Sequence, residues 1–163
     1  MSARRARARD WNPLRDALLP GALAGTVGAV AMALLACGAV GVLHGAPWRP
    51  ALLVAGTFFR AGAPLGTGTV VLGLLLHFAL AGALATGFAL VLPRGGTAVA
   101  ALMLGLLYSL VLWSVMTEWI LPFASPPLDR AHPGPLLLAL HLAFGAALGT
   151  LPAARARFRP RAR

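Results

Sequence analysis

The chain has 163 residues, of which 59% are hydrophobic and only 11% charged, and its mean hydropathy is +0.81. A water-soluble domain of this size needs far more polar surface around its core, so the composition excludes an ordinary globular protein and indicates a membrane protein. The net charge of +10 comes from arginines concentrated at both ends of the chain, next to apolar segments. Nucleic-acid binders spread such residues over a folded surface, so we expect no nucleic acid and instead contact with a lipid bilayer, whose anionic lipids attract the arginine-rich tails.

Four long apolar segments follow one another along the chain. About 20 apolar residues, rising 1.5 Å each, cross a hydrocarbon core roughly 30 Å thick. We therefore predict an all-α, four-helix transmembrane bundle with spans at residues 18–43, 69–92, 97–121 and 135–151. The predicted bundle occupies residues 17–152, between a basic tail at residues 1–16 and a second basic tail at residues 153–163.

The longest connection, residues 44–68, lies between the first two spans. Its central part, residues 50–60, is apolar but too short to cross a membrane. It predicts a short interfacial helix in the first outer loop, with Trp48 and the paired Phe58 and Phe59 at the depth of the lipid headgroups.

The two later connections are rich in turn-forming residues. Pro93-Arg94-Gly95-Gly96 predicts a tight turn, which makes the second and third spans an antiparallel hairpin. Residues 122–133 include Ser125-Pro126-Pro127, and this proline content predicts a loop without helix.

The distribution of arginine predicts the orientation. With four spans and a cytoplasmic N-terminus, only Arg49, Arg60 and Arg130 lie outside, whereas Arg94 and both tails lie inside. This is the bias expected from the positive-inside rule, so both termini are predicted to be cytoplasmic. All basic residues are arginine and alanine and glycine are abundant, which is typical of a GC-rich bacterial genome and favours a multi-pass protein of the bacterial cytoplasmic (inner) membrane.

Three glycine pairs have the spacing that lets helix backbones approach closely. They are Gly21-x-x-x-Gly25, Gly41-x-x-x-Gly45 and Gly145-x-x-x-Gly149. Such pairs either form a face for a homo-oligomer or pack helices within one chain. The second alternative is favoured because glycine and alanine are frequent throughout the spans.

Ionisable side chains within a membrane span are costly and are therefore candidate functional residues. His77, Glu118 and His141 lie in the second, third and fourth spans, and the predicted topology places all three towards the outer side. Ser114 precedes Glu118 by one turn on the same helix face. These four residues are the candidate polar or ion site.

Three interpretations of this polar layer stay open. In a structural or accessory protein, the histidines form hydrogen bonds between helices, and no cofactor is needed. In a small proton- or ion-coupled transporter, His77 and His141 share a path with Glu118. In an electron carrier, the two histidines are axial ligands of haem b, or they bind a metal. The first interpretation is favoured, and the lack of a nucleophile–base pair, phosphate loop or zinc motif argues against an enzyme.

Several short motifs are distributed along the four spans and the loops between them. A glycine-rich first span is followed by His77-Phe78, by a third span that ends in Leu121-Pro122, by Pro126-Pro127 in the outer loop and by His141-Leu142. In these features residues 18–152 resemble the YagU-like group of short bacterial inner-membrane proteins. The resemblance implies a four-span inner-membrane fold and carries over no catalytic residues.

Overall fold

The computed structural model describes residues 11–59, 65–131 and 134–159. The described residues are helical apart from short connections. The helices are α1 Leu19–His44, α2 Arg49–Ala55, α3 Thr67–Val91, α4 Ala98–Val115, α5 Leu121–Ala124, α6 Pro126–Ala131, α7 Gly134–Leu148 and α8 Leu151–Arg157. A π-helical turn precedes α1 at Leu14–Leu18, and another follows α4 at Met116–Ile120.

Four continuous helical segments are long and apolar enough to cross a membrane. They are Leu14–His44, Thr67–Val91, Ala98–Ala124 and Gly134–Arg157. The prediction of an all-α fold with four membrane spans is therefore confirmed. Large apolar side chains such as Val42 and Val91 point out of the bundle, as expected where lipid rather than water is the solvent. The fourth segment is longer than the predicted span at residues 135–151, because α8 follows α7 and ends at Arg157.

The first span lies between two others. The α1 helix packs against α3 on one side and α7 on another, and α7 packs in turn against α4. Glycines make these approaches close. A Cβ atom added at Gly25 would lie 2.6 Å from the carbonyl oxygen of Ala81 in α3, and one at Gly145 would lie 2.7 Å from that of Gly105 in α4.

The predicted glycine pairs thus have a role inside the chain. Gly21 and Gly25 face α3, whereas Gly145 and Gly149 face α4. The third pair lies at the end of α1, where Gly45 is the left-handed C-cap residue with φ of 65°. An oligomer would need a face other than those of the first and last pairs.

The second and third spans are joined by a turn, as predicted, but their backbones diverge from it. The Gly96 N–H donates to the Pro93 carbonyl at 3.1 Å, and the Thr97 hydroxyl caps α4 by accepting from the Ala100 N–H. Further along, Tyr108 of α4 bridges to α3: its hydroxyl donates to the Leu84 carbonyl at 3.1 Å. Among the described residues, α3 and α4 have closer neighbours in α1 and α7 than in each other.

Two connections at the end of the bundle opposite the termini are helical. The helix α2 forms as predicted and buries Ala51 and Ala55, while Trp48 stays exposed. The prediction that residues 122–133 contain no helix is wrong, because α5 and α6 form there. Pro122 and Pro126 occupy first turns, where a residue needs no N–H donor, so proline is compatible with these short helices.

Candidate functional site

His77 bonds to the neighbouring first span. Its side chain is half-buried in α3, and Nε2 lies 3.1 Å from the carbonyl oxygen of Ala29 in α1. A carbonyl can only accept, so Nε2 carries the proton in this bond. The ring of Phe78 meets the imidazole edge-on, with centroids 5.8 Å apart. His77 therefore joins two spans by a hydrogen bond to the main chain.

His141 is more deeply buried and bonds within its own helix. Only 8% of the residue is exposed, and Nδ1 lies 2.8 Å from the carbonyl oxygen of Leu137, one turn earlier in α7. By the same reasoning Nδ1 carries the proton. This bond fixes the orientation of the ring and satisfies one of its two nitrogens.

The two histidines lie at similar depth but on different helices. Relative to α1, His77 is level with Ala29, and Phe144, one turn after His141, lies against Gly28. The two residues therefore lie within one helical turn of each other along the bundle axis. Within residues 11–59, 65–131 and 134–159, no hydrogen bond or ring contact joins the two imidazoles, and α3 and α7 are connected mainly through α1.

The other two candidate residues lie on the outside of the bundle. Glu118 and Ser114 are both exposed, Glu118 within the π-helical turn Met116–Ile120 and Ser114 just before it. The turn has a local cause, because Pro122 has no N–H to donate to the Glu118 carbonyl as an α-helical residue would. In the described part of the chain no three histidine, cysteine or acidic side chains are close enough together to hold a metal ion.

Comparison with known proteins adds no family. No family model, curated protein or solved structure matches the chain. The resemblance to the YagU-like group therefore stays a prediction.

A buried cluster that the sequence did not predict lies at the end of the bundle that carries both termini. Arg155 of α8 is only 5% exposed, and its guanidinium donates to four main-chain carbonyls. Nε bonds to Asp16 at 2.9 Å, and the two terminal nitrogens bond to Pro93 and Leu92, each at 3.0 Å, and to Ala89. One side chain thereby joins the start of the first span, the end of the second and the end of the fourth.

Prolines explain why two of these carbonyls are available. Pro20 lacks the N–H that an α-helical residue would donate to the Asp16 carbonyl, and Pro93 lacks the one that would reach the Ala89 carbonyl. Leu92 and Pro93 follow the last residue of α3, where carbonyls lose their helical partners in any case. The arginine therefore acts as a cap supplied by another helix.

The bonds of Arg155 go to carbonyls and not to a carboxylate. The Asp16 side chain is used elsewhere, since its Oδ2 accepts from the Asn12 N–H at 2.9 Å. A buried charge is tolerated only when its hydrogen-bonding capacity is used, and four carbonyl oxygens meet that condition for a guanidinium with five N–H groups.

Arg155 was missed because it belongs to a run of arginines that resembles a solvated topology signal. The spacing of buried residues along the helix distinguishes Arg155 from the other arginines. Arg155 follows the fully buried Leu148 and Leu151 by seven and four residues, which places all three on one helix face. Arg157 falls off this face, whereas Arg159 lies beyond the end of α8, and both are exposed.

Proposed function

We propose that this chain is a small structural or accessory membrane protein in which His77 joins two spans, His141 bonds within its own helix, and neither histidine binds a substrate. The observation that supports this proposal is the bond from His77 Nε2 to the Ala29 carbonyl of α1. A hydrogen bond between membrane helices contributes about 0.6 kcal/mol on average, which suits a packing role. A catalytic or transport role would need an imidazole free to exchange its partners.

The positions of the other candidate residues support the same proposal over a transporter. A shared proton or ion path needs His77, His141 and Glu118 around one water-accessible cavity. Glu118 and Ser114 are instead exposed, whereas His141 is buried. Proline chemistry accounts for the π-helical turn around Glu118, so this turn is no argument for an ion site.

A haem-binding electron carrier is also less well supported. To become an axial ligand through Nε2, His77 would have to give up its bond to Ala29. The apolar cavity among α1, α2, α6 and α7 has a volume of about 70 Å³, far below the roughly 300–1,000 Å³ of pockets that hold ligands of drug size. A porphyrin is larger still.

The experiment compares His77→Ala with His44→Ala, since His44 is exposed at the end of α1. Both variants are purified in detergent, and visible spectra, proton flux in vesicles and melting temperature are recorded. We expect His77→Ala to lower the melting temperature and leave the other two readouts at the level of the wild type. A Soret band or a proton flux that His77→Ala abolishes and His44→Ala keeps would overturn the proposal.

We further propose a bacterial inner membrane with both termini in the cytoplasm. Arg15, Arg94, Arg155 and Arg157 all lie at the same end of the bundle, which supports cytoplasmic placement of that end and contact with anionic lipid. Fusion of a periplasmic reporter enzyme to residue 163 tests the topology: an inactive reporter is expected, and an active one would reverse the orientation. We also propose that the chain belongs to the YagU-like group.

A further inference from the structure

An apolar groove lies at the end of the bundle opposite the termini. It is a cavity of about 70 Å³ that is partly open to the surroundings. Four helices contribute to its walls, with side chains that include Ala36, Val40, Leu53, Leu128, Leu137 and Leu140. This volume accommodates a short stretch of a hydrocarbon chain but not a ligand of drug size.

Two exposed arginines are next in sequence to residues that line this groove. Arg49 directly precedes the lining residue Pro50 in α2, and Arg130 directly precedes the lining residue Ala131 in α6. The two helices are in contact, and the Ser125 hydroxyl before α6 donates to the Leu53 carbonyl of α2 at 3.4 Å. Each arginine is thus one residue away from the wall of the same groove.

These arginines differ from Arg155 in their surroundings. Both are exposed, and no hydrogen bond or ion pair to another described residue engages either guanidinium. The neighbouring Asp129, in contrast, already has an interaction within the protein. Both arginines lie just beyond the ends of membrane spans, the level at which lipid headgroups are found.

From this arrangement we infer a binding site for a phospholipid. One acyl chain fills the groove, and the phosphate binds to Arg49 and Arg130. An acyl chain leaves hydrocarbon to enter an apolar groove, so burial alone provides little preference. The preference comes from charge-assisted hydrogen bonds, because a planar guanidinium can donate two parallel N–H bonds to two oxygens of a phosphate.

The test uses two lipids that carry a photoactivatable diazirine in the same acyl chain. One is phosphatidylglycerol, and the other is the diacylglycerol that lacks its phosphate. The full chain in a maltoside detergent is illuminated with either probe, and the modified residues are mapped by mass spectrometry. We expect labelling of α1 and α7 around Val40 and Leu137, at least fivefold stronger with phosphatidylglycerol.

Substitutions then locate the two parts of the site. The double variant Arg49→Gln/Arg130→Gln is expected to reduce labelling by phosphatidylglycerol to the level of diacylglycerol. Its matched control is Arg15→Gln/Arg157→Gln, which removes two exposed arginines at the opposite end and leaves labelling unchanged. Equal labelling of the groove by both probes, or equal loss in both double variants, would overturn the inference.

A second pair of variants tests the groove without changing charge. Val40→Phe fills the groove from α1 and is expected to lower labelling at least fivefold. Val42→Phe adds the same ring on the same helix, at a position that is 87% exposed, and should have no effect. Undiminished labelling around Leu137 in Val40→Phe would show that the acyl chain lies elsewhere.

Discussion

The Nε atom of Arg155 donates a hydrogen bond to the carbonyl oxygen of Asp16, a residue 139 positions earlier in the chain. This bond and three others from the same guanidinium join α8 to the beginning of the first span and to the end of α3. Lipid provides no water to satisfy main-chain carbonyls, so a donor from another helix takes its place. The cluster is the most extensive polar contact in the described residues.

Removing this guanidinium should destabilise the bundle strongly. Arg155→Ala leaves buried carbonyls without donors, and we expect a loss of about 2–4 kcal/mol in the free energy of unfolding. Arg157→Ala, two residues further along and exposed, should change it by less than about 0.5 kcal/mol. Reversible unfolding in mixed micelles, followed by circular dichroism, measures both. Similar losses in the two variants would contradict the role of the cluster.

Lysine should not replace Arg155 fully. Its ammonium group has three donors at a single point, whereas the guanidinium reaches carbonyls on two helices from three nitrogens. We expect Arg155→Lys to recover less than half of the stability that Arg155→Ala loses. The same unfolding measurement applies, and full recovery would mean that positive charge alone matters.

The part played by Pro20 can be measured through its coupling to Arg155. In Pro20→Ala, the new N–H can bond to the Asp16 carbonyl, so Arg155 becomes less necessary. A double-mutant cycle should give a coupling of about 0.5–1.5 kcal/mol between the two substitutions. The cycle isolates this coupling because the cost of the cavity left by the smaller alanine side chain is the same with and without Arg155. Additive effects would show that the proline and the arginine act independently.

The close approach of α4 and α7 should depend on Gly145. A Cβ atom there would collide with the Ser109 hydroxyl and the Gly105 main chain. Gly145→Ala should therefore cost about 1–3 kcal/mol of stability, as overpacking usually does. Gly38→Ala in α1 is the control, because its added Cβ meets no atom within 4 Å and alanine favours helix. Melting temperatures in detergent distinguish the two variants, and equal values would contradict the packing.

Tyr108 should hold the second and third spans together. Tyr108→Phe keeps the ring against Phe88 but removes the donor to the Leu84 carbonyl, with an expected loss of about 0.5–1.5 kcal/mol. Hydrogen exchange should show faster opening around residue 84 and no change in α7. Unchanged exchange at both places would assign the contact of α3 and α4 to packing alone.

The length of the apolar segments and their lack of charge were sufficient to predict the four membrane helices, because in lipid the main chain itself requires helix. The contacts between helices were harder to predict from the sequence. The interaction of His77 with Ala29 depends on which faces meet, and sequence spacing alone does not specify that. Residues 122–133 were misjudged because prolines were treated as breakers, although their position in a first turn decides their effect.

The contacts of Arg155 also imply an order of events during synthesis. The carbonyls of Asp16, Ala89, Leu92 and Pro93 are translated and inserted well before their common donor, which belongs to the last helix. The first two spans, which carry these carbonyls, therefore lack this donor until α8 has been synthesised. A nascent chain that stops before residue 155 lacks the side chain that joins the first, second and fourth spans at this end of the bundle.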